Sequence, residues 1–112
     1  MSTIILVTAI VFSLLVMPAY AAQETQQFSC TGQLIDTGAV PGKPSTLKLS
    51  LGPRKDVALD LGEGSIKART TSDNDIQLKF ITKDFIGEYF HYTGDLFLIY
   101  KSGKLMHVTC QK

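Results

Sequence analysis

The side chains in this chain that could do chemistry are few: two histidines (His91 and His107), two cysteines (Cys30 and Cys110) and ten scattered carboxylates. A catalytic or metal-binding pair would need the histidines to converge with a carboxylate such as Glu88 or Asp95. No motif assembles such a site. The chain has no G-x-S-x-G, C-x-x-C, H-E-x-x-H or P-loop pattern. Asp73-Asn74-Asp75 begins like a calcium loop, but Leu78 stands at the sixth position where glycine is required, and no Glu occupies the twelfth. Gly62-Glu63-Gly64 lacks the third glycine of a dinucleotide fingerprint. The expectation is therefore a protein that is not an enzyme, with no catalytic residue, no metal and no cofactor.

The densest unusual feature is aromatic. Seven of the ten Phe and Tyr residues fall between Phe80 and Tyr100, most of them in Phe85-Ile86-Gly87-Glu88-Tyr89-Phe90-His91-Tyr92. In an extended chain Phe90 and Tyr92 face one way and Tyr89 and His91 the other. One face must be core, which leaves an aromatic and an imidazole for the surface or a barrel mouth. Tyr89, His91, Tyr92, Tyr100 and His107 form the candidate binding patch on this reading. Exposed Tyr beside charge is common at interface hot spots. The plainer account is that Tyr and Phe favour strands and cross-strand pairing.

The elements that must position these residues follow from period-two alternation. Phe28 and Cys30 share a face. Leu47, Leu49 and Leu51 alternate with Lys48 and Ser50; Val57, Leu59 and Leu61 with Ala58 and Asp60; Ile66, Ala68 and Thr70 with Lys67 and Arg69; Ile76, Leu78 and Phe80 with Gln77 and Lys79. Leu96, Leu98 and Tyr100, then Met106, Val108 and Cys110, repeat the pattern. Strict alternation over five or six residues marks a half-buried strand. Turn chemistry separates the runs at Gly52-Pro53, Gly62-Glu63-Gly64, Asp73-Asn74-Asp75, Lys83-Asp84, Thr93-Gly94-Asp95 and Ser102-Gly103. Asp36 to Pro44 reads as a long polar loop, Ala22 to Gln27 as a polar lead-in, and Ile81 to Phe90 could hold one helical turn. The fold class is all-β: a small antiparallel meander of about eight strands closed as a barrel, with a sandwich as the alternative.

The first 21 residues give the compartment. Ile4 to Met17 is an uncharged run, Pro18 breaks it, and Ala19-Tyr20-Ala21 follows as an A-x-A cleavage site. The run covers about 21 Å as a helix, short of the roughly 30 Å of a bilayer core. The division expected is a signal peptide over 1–21 and a β-barrel domain over 22–112, without a permanent membrane span. The protein should be periplasmic or secreted. A formal net charge of +1 with interspersed signs excludes the basic excess of a nucleic-acid binder. A monomer is expected.

In an exported chain two cysteines most simply form one disulfide, here Cys30 to Cys110; two free thiols are the alternative. The bond would close a loop of about 80 residues, worth about 2–5 kcal/mol. It also needs the Cα atoms within about 7 Å. The first and last strands must then be neighbours, which favours closure into a barrel and hides the strand edges.

Phe28-Ser29-Cys30 near one end and Val108-Thr109-Cys110-Gln111-Lys112 at the other, with the strand rhythm between them, resemble the small periplasmic inhibitors of c-type lysozyme. The resemblance implies a secreted or lipid-anchored bacterial β-barrel. That family's inhibitory loop carries S-G-x-x-Y; this chain has Ser102-Gly103-Lys104-Leu105-Met106, with Met106 in place of Tyr, so no functional residue is carried over. The function expected is a non-enzymatic binding or inhibitor-like module acting on a protein or cell-envelope component through loops and the aromatic patch. The alternative is a small-ligand binder using the barrel mouth.

Overall fold

The structure, a computed structural model, describes residues 25–36 and 42–112. The signal segment expected at 1–21 lies outside the described residues, as do 37–41 of the loop after Asp36. Eight strands follow one another: β1 (Gln26–Ile35), β2 (Lys43–Leu51), β3 (Val57–Asp60), β4 (Ser65–Asp73), β5 (Gln77–Ile81), β6 (Phe85–Phe90), β7 (Asp95–Tyr100) and β8 (Leu105–Gln111). Each pairs antiparallel with the next, and β1 also pairs with β8, so the meander closes into a barrel. The sandwich alternative falls with that closure.

The alternation read from the sequence is what the barrel sorts. Leu47, Leu49, Val57, Leu59, Leu78, Phe80, Phe85, Leu96, Leu98, Met106 and Val108 are buried inside it, while their neighbours Lys48, Lys79 and Ile99 are exposed. Burying each Leu or Phe contributes about 1.5–3 kcal/mol. Phe80 and Phe85 are among the largest fully buried side chains, and Phe80 owes its place to a gap. Gly87 lies directly opposite it on β6, and a Cβ on Gly87 would sit 2.1 Å from the Phe80 ring. The ring fills the volume that any other residue at 87 would claim.

Cys30 and Cys110 are direct partners in the β1–β8 ladder, bonded, with Cα atoms 4.0 Å apart. The expected disulfide therefore stitches the barrel's closing seam. It also anchors the β6–β7 turn. The Cys110 amide donates to the Gly94 carbonyl at 2.8 Å. Gly94 has φ +78°, and a Cβ there would meet the Cys110 carbonyl at 2.6 Å. Only glycine satisfies both the backbone angle and the contact.

Several local expectations are corrected. Gln26 and Gln27 belong to β1, opposite Leu51 and Ser50, rather than to a lead-in; their polarity reflects an outward face and a strand end. Lys43 and Pro44 belong to β2, opposite Leu34 and Gln33. β3 reaches β2 only from Lys48 onward, so this half of β2 has a partner strand on one side, where proline is tolerated. Ile76 lies in the turn before β5 and is 61% exposed. The Asn74 carboxamide oxygen accepts from the amides of Ile76 and Gln77, and that local cap outweighs the apolar phase. Leu61 follows the end of β3 and packs half-buried against the core. Ile81 to Phe90 holds no helix; the helical turn is Pro53–Lys55 in the β2–β3 connection, where proline suits the first position.

Candidate binding surface

The barrel wall divides the candidate patch. Tyr89 and Tyr100 lie on the inner face. Tyr89 is 5% exposed, with its ring 5.8 Å from Phe28, and burial pushes its phenol pKa up. Tyr100 is half-buried and packs edge-on to Phe85 at 5.1 Å. Its pKa is raised by burial and then by the Asp84 charge. Tyr89 belongs to the core and Tyr100 packs against it. His107, His91 and Tyr92 remain outside, in two separate places.

His107 stands on the outer face of β8. The β7–β8 register sets Phe97 opposite it, and the imidazole stacks on the Phe97 ring at 4.4 Å, 8° from parallel. Phe90 meets Phe97 edge-on at 6.0 Å. His107 Nε2 lies 3.1 Å from Asp95 Oδ1, which also accepts from the Thr109 hydroxyl at 3.3 Å. An ionised carboxylate can only accept, so Nε2 carries the proton. The hydrogen bonds from His107 and Thr93 hold the Asp95 carboxyl below the usual 3.8. The cluster fixes the imidazole on an open face of the sheet.

His91 lies in the β6–β7 turn, not in a strand. Its amide donates to the Ile76 carbonyl at 3.0 Å, and its Nε2 sits 3.2 Å from Asp73 Oδ1. Its ring meets Tyr89 edge-on at 5.5 Å. The β4–β5 and β6–β7 turns are thus joined at one end of the barrel. Tyr92 projects from this tip, 81% exposed. Beside it Asp73, Asn74, Asp75, His91 and Tyr92 line an open hollow of about 540 Å³.

A third feature was missed by the sequence reading. Ile81, Ile86, Ile99, Leu105 and Ile35 are successive cross-strand partners over β5, β6, β7, β8 and β1. They make one apolar row on the outside, with Ile86 and Ile99 44% and 43% exposed. Outward isoleucines at the strand ends were the available signal, but joining them needs the register.

The histidines do not converge. His91 pairs with Asp73 and His107 with Asp95, while Glu88 accepts from the Gln77 side-chain amide. Among the described residues no three His, Cys, Asp or Glu side chains are grouped to hold a metal ion, and no helix is long and apolar enough to cross a membrane. No family model, curated protein or solved structure matches the chain.

Proposed function

We propose that this protein is an exported, non-enzymatic binding module that engages a protein or cell-envelope component from the outside of its barrel. The observation that carries this reading is the placing of large apolar side chains outside a core that is already filled. The interior is filled by Leu, Phe, Tyr and Val, yet Tyr92, Ile76, Ile86 and Ile99 stand in solvent. Ile86 and Ile99 are neighbours in the outer row, Tyr92 and Ile76 share the tip at the other end of these strands, and grouped apolar side chains outside a full core mark contact surfaces. The full core speaks against a ligand held within the barrel, since an eight-stranded barrel is only just wide enough for one when its inner side chains are small. The Cys30–Cys110 bond and the expected signal peptide support a periplasmic or secreted location.

The test uses the mature oxidised chain from Ala22 as bait for cell-envelope extract, compared with Tyr92→Ala and with the Ile86→Ser/Ile99→Ser double variant. The reading requires a partner recovered by the wild type and depleted by at least one surface variant. Equal recovery by all three, or none by the wild type, overturns it. The resemblance to lysozyme inhibitors makes c-type lysozyme the first purified partner to try, with residual cell-wall lysis as the readout. Met106, which stands in that family's Tyr position, is buried, so any inhibition must come from other residues.

A further inference from the structure

Among the described residues, the two large apolar side chains with the greatest exposure are Tyr92 at 81% and Ile76 at 61%. They come from different turns, sixteen residues apart, and stand at the same tip of the barrel. The chain holds both turns firmly. The Asn74 side chain caps the amides of Ile76 and Gln77. His91 bonds to Ile76 through its backbone and to Asp73 through its ring. Gly94 is tied to Phe90 and to Cys110, itself half of the disulfide. A frayed loop would lose freedom on binding; this one has already lost it, which is the condition for a strong contact.

The charge of the tip says what it would contact. Asp73 and Asp75 flank the hollow. Asp73 is paired with His91, and among the described residues no lysine or arginine forms an ion pair with either carboxylate. Two carboxylates, a carboxamide and a phenol ring beside an open hollow suit a guanidinium group. Its planar fork bonds carboxylates in pairs and its face stacks on an aromatic ring. The ring and Ile76 would need an apolar seat around that charge.

We propose that this tip docks a partner protein that inserts an arginine between Asp73 and Asp75 and covers Tyr92 and Ile76 with an apolar socket. The assignment rests on the binding-module reading and names the chemistry of its partner. A random library of disulfide-constrained peptides displayed on phage, selected on the mature oxidised chain, tests it. Enriched peptides should carry arginine beside an apolar residue. They should shift the amide resonances of residues 74–76 and 91–92. Tyr92→Ala, and separately the Asp73→Asn/Asp75→Asn pair, should each weaken Kd at least tenfold, and 0.5 M salt should weaken it severalfold. After Asp73→Asn the side-chain oxygen can still accept from His91 Nε2, and Tyr92 is exposed; an unfolding midpoint and amide spectrum matching the wild type show that the tip is intact in each variant. Peptides without cationic preference, shifts centred on Ile86 and Ile99, or undiminished affinity for the asparagine pair overturn the assignment. If the envelope extract still yields a partner, the tip alone is wrong; if it yields none, the module reading falls as well.

Discussion

The aromatic arc of the barrel, β5 to β8, and the β4 strand obey the same alternation with opposite results. In the arc, inward positions hold Phe80, Phe85, Tyr89, Leu96, Leu98 and Val108, all buried. In β4 the inward phase is Ile66, Ala68 and Thr70. Ile66 is 38% exposed and the other two are half-buried. The β4–β5 ladder also slips between Thr70 and Ser72, a bulge that bends the strand. Period two therefore fixes which way a side chain points, but burial depends on what the opposite wall supplies. The arc is held by packing and a covalent seam, and β4 mainly by its ladders.

The largest effect that would sharpen the contrast is Phe80→Ala. It should destabilise the protein by about 3–5 kcal/mol, measured by denaturant unfolding. A loss below about 1 kcal/mol would show that the arc is not the centre of stability. Replacing both Cys30 and Cys110 by Ala should cost about 2–5 kcal/mol, read from the same unfolding curves against the oxidised wild type. Gly87→Ala adds a single methyl, yet it should cost about 1–3 kcal/mol by displacing the Phe80 ring. Combining it with Phe80→Leu should recover part of that loss, since the two residues share one volume.

The pH response should locate itself in the arc too. The Asp95 carboxyl is held below 3.8 when folded. The stability it supplies is complete above that value and is lost as the pH falls through the lower folded value. Asp95→Asn should therefore flatten the acid limb of the stability profile while leaving its shape unchanged near neutrality. An unchanged acid limb would mean that the His107 contact does not persist in solution. At the bottom of the scale, Ile66→Ala in β4 should cost less than about 1 kcal/mol. Amide exchange should be faster in β4 than in β7 or β8; equal protection would erase the contrast.

Much of this architecture was legible because side-chain alternation and turn residues act locally. Leu47-Lys48-Leu49 and Leu96-Phe97-Leu98 could be assigned to a face without knowing any partner strand. The candidate surface was less legible. Tyr89 and His91 share a phase, but the strand ends between them at Phe90, so one ring joins the core and the other bridges to Asp73. Ile76 keeps the phase of Leu78 and still lies outside, because the Asn74 cap takes the backbone out of the ladder. The pairs His107–Asp95 and His91–Asp73 span 12 and 18 residues. Only the turn centred on Ser102 and the joined turns at the tip bring them within 3.2 Å.

By itself, the amino-acid sequence determined an all-β chain of short strands, the face most residues would show, and a cysteine pair able to tie the ends. These are matters of chain geometry within a few residues, plus one bond that admits a single partner. The tertiary structure alone decided closure, the register that lines Ile81 to Ile35 into one row, and the division of the tyrosines between core and tip. Each of those depends on strands distant in sequence meeting at a definite offset. A shift of one residue would turn every side chain to the opposite face.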